Sequence, residues 1–270
     1  MRPHCDLDQN FELTALYTAF SATNAANYYA VGESHDFWEI VLVTEGEIGV
    51  TAGKNVYYLK KGQAVLHAPN EFHNLWSERS AKAGILIFTF TARHLPRPTS
   101  QILNVGALDE PVSILAAIDE CFERQGLYVI NIKAGKEATA AIAIKRLELF
   151  LLQAIGTAGQ ATEAHTAHSA HNYAKAVRFL EENLHRTLTV PQIAEACHMS
   201  EVNLKKTFSH YAGMGVIHYF NRMKIFAAVK RLKKGMTVRE TSDSLGFLNQ
   251  NYFCTVFTRV MGKSPKNYKE

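Results

Sequence analysis

Leu188-Thr-Val-Pro-Gln-Ile-Ala-Glu-Ala-Cys-His-Met-Ser200 is written a second time, with changes, as Met236-Thr-Val-Arg-Glu-Thr-Ser-Asp-Ser-Leu-Gly-Phe247. The first copy is followed by Leu204, Phe208, Gly213 and Tyr219, the second by Phe253, Phe257, Gly262, Pro265 and Tyr268. Thr189 and Thr237 lie 48 positions apart, whereas Phe208–Phe257 and Gly213–Gly262 lie 49 apart, so the second turn gains one residue. Each copy places a Thr N-cap, a short helix, a tight turn and a second amphipathic helix in the order a helix-turn-helix requires. Two such units in one segment point to recognition of double-stranded DNA.

The charge distribution agrees. Residues 172–270 hold 16 Lys and Arg against 7 Asp and Glu, while 1–171 hold 13 against 18. Only the C-terminal end is therefore suited to phosphates. Within it, Tyr173 to Leu184 reads as a scaffold helix. Ser200 caps a helix Glu201–Tyr211 that buries Leu204, Phe208 and Tyr211. Its outward side chains are Val202, Asn203, Lys205, Lys206, Ser209 and His210. Lys bonds guanine acceptors or phosphates and Asn pairs with adenine, so this face suits a major groove. Residues 215–233 read as one helix with an apolar stripe of Tyr219, Met223, Phe226, Val229 and Leu232. Arg222, Lys224, Lys230, Arg231, Lys233 and Lys234 give it a basic surface. Its length of roughly 28 Å suits two readers held about one DNA turn apart. The second reader, 249–260, buries Phe253 and Phe257 and exposes Asn249, Gln250, Asn251, Cys254, Thr255 and Thr258.

The first half has a different grain. Phe37–Val43, Glu47–Thr51, Val56–Leu59, Ala64–His67 and Gly84–Phe90 are short strand candidates parted by Gly, Asn and Lys turns, the pattern of a β-sandwich or small barrel. Helical periodicity takes over at Val112–Glu123 and at Glu137–Ile155. In the latter, Ile144, Leu147, Leu151 and Ile155 form one stripe, and Ile142, Leu149 and Leu152 widen it. That width leaves apolar surface for a second copy of the chain, so a homodimer is expected. Residues 156–171 lose every large apolar side chain and read as a linker, its His165, His168 and His171 solvated. The expected organisation is α+β in two domains: 1–155 for sensing and dimerisation, a linker over 156–171, and an all-α reader over 172–270.

The span from about 173 to 269 resembles the double helix-turn-helix domain of the AraC/XylS family of bacterial transcription regulators. The resemblance rests on Gly246-Phe247, Tyr252-Phe253, Phe257, Gly262-x-Ser264-Pro265 and Tyr268. It implies base contacts from Val202, Lys205 and Lys206 in the first copy and Gln250, Asn251 and Thr255 in the second. Two positions depart from the family pattern. Thr241-Ser242 stands where Ile-Ala is usual and makes a poorer packer. Thr255 stands where Arg is common, which leaves specificity to the first copy.

The strands of the first half resemble the cupin-like sensor barrel of the same family, through His35-x-Phe37-Trp38-Glu39, Glu45-Gly46, Gly62 and Pro69-Asn70-Glu71-Phe72-His73. Strand alternation sets His35, Phe37, Glu39 and Val41 on one face, which the resemblance turns to the barrel interior. The resemblance implies a small-molecule effector there. His35, Phe37, Glu39, His73 and Trp76 are its candidate contacts, and imidazoles and a carboxylate beside aromatic rings suit a polyhydroxylated ligand such as a sugar. A buried ion pair between Glu39 and a histidine is the plainer reading. Metal-binding cupins present a His-x-His pair, and Phe37 occupies the second position here, so no metal and no other cofactor is expected.

The expected function is an effector-responsive transcription regulator, an activator by family habit that contacts RNA polymerase. One rival is a cupin metalloenzyme fused to a DNA-binding module; another is a regulator whose barrel only dimerises. No Ser/His/Asp triad or phosphate-cradling Gly-rich loop stands out, so no catalytic residue is assigned. Cys5, Cys121, Cys197 and Cys254 show no Cys-x-x-Cys spacing and read as reduced thiols. Asp6, Asp8 and Glu12 interrupt any leader, and no apolar run reaches about 18 residues. A cytoplasmic protein with no membrane partner is expected.

Overall fold

The computed structural model describes residues 10–24, 28–30, 32–77, 82–158 and 168–268; Cys5 and His165 fall outside these, as does the side chain of His168. Two compact units emerge. The first runs to His165, apart from 30–32 and 53–56, which group with the second unit from Thr166 onward.

The strands are β1 (Glu12–Asn24), β2 (Trp38–Glu45), β3 (Glu47–Ala52), β4 (Asn55–Lys60), β5 (Gln63–His67), β6 (His73–Trp76), β7 (Ala83–Arg93), β8 (Ile102–Asn104), β9 (Phe122–Gln125) and β10 (Tyr128–Ile132), all of the first unit but for the first two residues of β4. Helices α1 (Asp109–Cys121) and α2 (Glu137–Gly156) accompany them. Seven strands form one sheet in the order β8-β5-β2-β7-β1-β10-β9, and β4-β3-β6 form a smaller one. Because side chains alternate along a strand, each face of the large sheet has its own core. Ile40, Leu42, Leu86 and Phe88 pack against Ile114, Ile118, Leu147 and Leu151 of the two helices. Val41, Val43, Val65 and Ile87 face Ile48, Val50 and Leu59 of the smaller sheet. The second core is the barrel interior.

Two elements differ from expectation. The helix expected to reach Glu123 stops at Cys121, and the chain enters the β9–β10 hairpin through a turn with Gly126 at φ +61°. β1, long and bulged, pairs with β7 from Glu12↔Arg93 to Asn24↔Ala83. On α2, Ala143, Leu147, Phe150, Leu151 and Ala154 are buried, while Ile142, Leu149 and Leu152 are 61%, 56% and 40% exposed. The Thr157 hydroxyl at its end accepts the Asn104 backbone N–H at 3.0 Å.

The second unit is helical: α3 (His168–Glu182), α4 (Val190–Ala196), α5 (Glu201–Ala212), α6 (Val216–Lys233), α7 (Val238–Ser244), α8 (Gln250–Met261) and a 3-10 turn (Pro265–Tyr268). α3 thus begins inside the stretch read as linker. The sequence repeat becomes a repeat of caps. The Gln192 side chain accepts the Thr189 N–H at 2.9 Å, and Glu240 accepts the Thr237 N–H at 2.8 Å while Thr237 accepts the Glu240 N–H at 3.1 Å. Such reciprocal caps satisfy the orphan donors of a helix start. Gly213 and Gly262 end the two readers in the left-handed region at φ +64° and +72°. An aromatic group of Tyr173, Phe208, Tyr211 and Tyr219 holds the first copy; Phe247, Phe253, Phe257 and Tyr268 hold the second.

Helix α6 corrects its expected stripe. Met223 and Phe226 are only half-buried, whereas Lys224, Ile225 and Ala228 are buried. The helix packs on α5 on one side and on α7 and α8 on another, so its apolar positions run around it rather than along one seam. Lys224, expected on the basic surface of this helix, instead donates its Nζ to the Arg186 carbonyl at 2.7 Å and sits over the rings of Phe220 and Phe247. Burial lowers its pKa to about 8.

Thr241 and Ser242 are fully buried, and neither hydroxyl has a hydrogen-bond partner among the described residues. A buried hydroxyl without a partner costs about 1–3 kcal/mol. Thr241→Val, which keeps the shape, should raise the stability of the second unit by about 1 kcal/mol. Thermal melts of wild type and variant check this; a lower melting temperature would show that the hydroxyl is satisfied.

Candidate functional site

The reader faces follow from which side of each helix is buried. On α5, Leu204, Thr207, Phe208 and Tyr211 turn inward, leaving Val202, Asn203, Lys205, Lys206 and Ser209 exposed and His210 half-exposed. Ser200 holds the start of the helix by accepting the Asn203 N–H at 3.2 Å. Lys205 pairs with Glu201 at 3.4 Å on the helix surface, so Lys206 is the more available cation of the two.

The face of α8 is poorer than its composition suggests. Asn249 is the N-cap: its side-chain oxygen accepts the Asn251 and Tyr252 N–H groups at 2.7 and 3.4 Å. An Asn spent on the helix start cannot pair bidentately with adenine, so Asn249 is corrected from a base reader to a cap. The Thr255 hydroxyl bonds back to the Asn251 carbonyl at 3.0 Å. Gln250 and Asn251 remain exposed. Cys254 is half-buried, while Leu248, 91% exposed, and Tyr252 add surface that the sequence reading omitted. Nothing in periodicity marks Leu248; it lies in the turn before the cap.

In the first unit, His35, Phe37 and Glu39 gather, but β2 begins at Trp38 and the chain bends at Asp36 and Phe37, so a bend rather than strand alternation brings His35 to Glu39. Glu39 is central. Its Oε2 lies 3.3 Å from His35 Nε2 and its Oε1 lies 3.6 Å from His73 Nε2. Both histidines are oriented through the other ring nitrogen: Nδ1 of His35 reaches the Phe37 carbonyl and Nδ1 of His73 the Glu71 carbonyl, each at 3.0 Å. Phe37 stacks on His35 at 3.8 Å and on Tyr17 at 4.5 Å. Burial opposes charge on Glu39, yet the His35 bond and the nearby His73 and His67 hold its pKa below the usual carboxylate value. Burial lowers the pKa of His35, but bonding to Glu39 outweighs it and the net shift is upward. Burial and the neighbouring His67 push His73 down to about 3.

Three residues outside the expected set complete the group. His67 stacks on His73 at 4.3 Å; Glu71 takes the Ala68 N–H at 3.0 Å and the Gln101 amide at 2.5 Å. Glu39 faces His67 across the β2–β5 pairing, a register that no local pattern announces. Trp76 does not join them. On β6, Leu75 packs with the barrel interior, and Trp76, of opposite parity, lies over Gly49, where an added Cβ would overlap its ring. A period of two forbids His73 and Trp76 from sharing a face, so Trp76 is corrected to a core residue.

A cavity of about 460 Å³ lies elsewhere, between β1, the β9–β10 hairpin and α2. Leu13, Leu16, Phe122, Val129, Ile144 and Glu148 line it, and none of the expected effector contacts do. Glu148 is buried there, accepting the Leu13 N–H at 2.9 Å and Lys145 Nζ at 2.8 Å. Among the described residues, no helix is long and apolar enough to cross a membrane.

A family model described as an AraC-like ligand binding domain matches residues 17–150, and one described as a helix-turn-helix domain matches 193–270. The chain is 22% identical over 247 residues to the HTH-type transcriptional activator RhaR of Pectobacterium atrosepticum, covering 87% of this chain and 84% of that protein. Against the bifunctional transcriptional activator/DNA repair enzyme AdaA of Bacillus subtilis it is 25% identical over 93 residues, 34% of this chain and 44% of the other. Fatty-acid-bound ToxT from Vibrio cholerae aligns over 96% of each chain at 15% identity, with a TM-score of 0.38. With a ligand-binding domain followed by a helix-turn-helix reader, each matched in its own half and the two matched together in RhaR, the chain belongs to the AraC/XylS family of DNA-binding transcription regulators.

Proposed function

We propose that this chain is a transcription activator that reads paired operator half-sites as a homodimer and responds to a small molecule held by its first domain. The observation that carries the reading is the exposed polar face of α5, with Asn203, Lys205, Lys206 and Ser209 on a helix fixed by a cap at one end and Gly213 at the other. The sign of regulation rests on RhaR, which is an activator, and implies RNA polymerase as a partner. The exposed Ile142, Leu149 and Leu152 of α2 support a contact between two copies. A polyhydroxylated effector would find the Glu39 carboxylate and the imidazoles of His35 and His73 as polar partners, with Phe37 as a stacking surface. Activation then requires that the effector bind one arrangement of the protein better than another.

The experiment is a titration of the full chain against its own promoter with random DNA as competitor, at moderate salt. Lys206→Ala should weaken specific binding by about tenfold, within the roughly 1–3 kcal/mol of a good base or phosphate contact. Thr255→Ala should change it by less than about threefold, since its hydroxyl already serves its own helix. Equal losses would overturn the assignment of specificity to α5. No preference for the promoter over competitor would overturn the function.

A further inference from the structure

The group around Glu39 has a feature that a buried ion pair does not account for. His73 Nδ1 donates its proton to the Glu71 carbonyl, so a neutral imidazole presents the bare lone pair of Nε2. That atom is buried, has no hydrogen-bond partner among the described residues, and faces Glu39 Oε1, another acceptor, at 3.6 Å. Two lone pairs directed at each other away from water repel unless a cation stands between them. His35 is held the same way, with Nδ1 on the Phe37 carbonyl and Nε2 turned toward Glu39 Oε2. Backbone carbonyls that fix Nδ1 and leave Nε2 pointing inward are the support that metal-bound histidines receive.

The dimensions agree. Donors bound about 2.1 Å from one ion sit roughly 3.0–3.4 Å from each other in octahedral or tetrahedral arrangements. The two His–Glu separations are 3.3 and 3.6 Å, and all three donors lie within 4.8 Å of one another. Closing the His35–His73 gap therefore takes a movement of about 1 Å or less by each of the two rings. The sequence argued against an ion because Phe37 replaces a second ligand histidine. In the folded barrel Phe37 instead stacks on His35 and fixes the ring, and Glu39, at the start of β2, supplies the third donor.

We propose that His35 Nε2, His73 Nε2 and the Glu39 carboxylate bind a divalent first-row transition ion. Two imidazoles and one carboxylate suit zinc, nickel, cobalt or iron rather than calcium or magnesium. Three protein donors leave coordination positions open, so an effector with oxygen donors would bind partly through the ion. This deepens the effector site proposed above and rests on that reading only for its regulatory meaning; the ion site stands or falls separately.

The test uses the metal-stripped full chain titrated with Co²⁺ and Zn²⁺, read by calorimetry and by the visible Co²⁺ spectrum. One equivalent should bind with a Co²⁺ band typical of mixed nitrogen and oxygen ligation. His73→Ala and the near-isosteric Glu39→Gln should each weaken it by about 100-fold or more, since even the loss of a supporting group costs about 10–100-fold. Circular dichroism and melting confirm that the variants fold, and Glu39→Gln keeps the packing should His73→Ala fail. A competing explanation is chelation by His165, His168 and His171. Binding that survives both barrel variants and vanishes when those three are changed to Ala would overturn the proposal, as would the absence of any binding. Promoter affinity is measured alongside: a chain that binds the promoter but takes up no added ion overturns the ion site alone, and a chain that takes up the ion but does not prefer the promoter overturns the regulator alone.

Discussion

Gly246→Ala should destabilise the helical unit by about 3 kcal/mol or more and abolish promoter binding. Gly246 lies at φ +66°, and an added Cβ would overlap the His185 carbonyl with nothing flexible to yield. The left-handed region alone costs a residue with a side chain about 1–2 kcal/mol, and a backbone collision adds to it. The first copy shows what the turn requires when it is not crowded: His198 occupies the equivalent position at φ +53°. The second turn is pressed against residues 185–187, where Thr187 Oγ1 donates to the Gly246 carbonyl at 2.6 Å and Lys224 donates to the Arg186 carbonyl. This contact joins the two readers, so the loss should exceed that of a single turn. Denaturant melts and promoter titration of the variant check it. A variant of wild-type stability would mean that the 185–187 segment moves aside at little cost.

Charging the exposed stripe of α2 should cost about 100-fold in affinity for a two-site operator while leaving a single half-site unaffected. Ile142→Lys with Leu149→Lys places two cations about two turns apart on one apolar stripe. Both side chains are more than half exposed, so the fold should lose no more than about 0.5 kcal/mol per site. Two covalently separate readers gain about 10²–10⁴ in effective affinity when joined in one assembly. Sedimentation should show the variant as a monomer where wild type is a dimer. A dimer that persists would move the contact to another surface, such as the exposed Leu127, Tyr128, Ile130 and Ile132 of the β9–β10 hairpin.

The helical half was readable because its instructions are local. Thr189, Ser200, Gly213, Thr237 and Gly262 each act within one turn of themselves, and each occupies the capping role its residue type implies. What escaped there depended on distant contacts. Lys224 looks like one cation among several on α6 until the 185–187 segment and Phe247 fold over it. Asn249 and the first base of a groove compete for the same amide, and one sequence does not reveal that the cap wins.

In the barrel, alternation placed Glu39 and Val41 inside, but it could not supply the partners. His67 arrives through the β2–β5 register and Gln101 through the approach to β8. The β9–β10 hairpin was lost in the helical reading of Val112–Glu123. Residues 122–125, Phe-Glu-Arg-Gln, have ample helix propensity, and pairing with Tyr128–Ile132 overrides it.

The pairing of Glu12 with Arg93 also orders events in time. The central ribbon of the large sheet cannot close until some eighty intervening residues have been made and brought back, and closing such loops is slow relative to forming neighbouring helices. The reader, whose helices pack largely on the next in line, has no such wait. Refolding from denaturant should therefore show a fast helical phase followed by a slower one from the β-rich half.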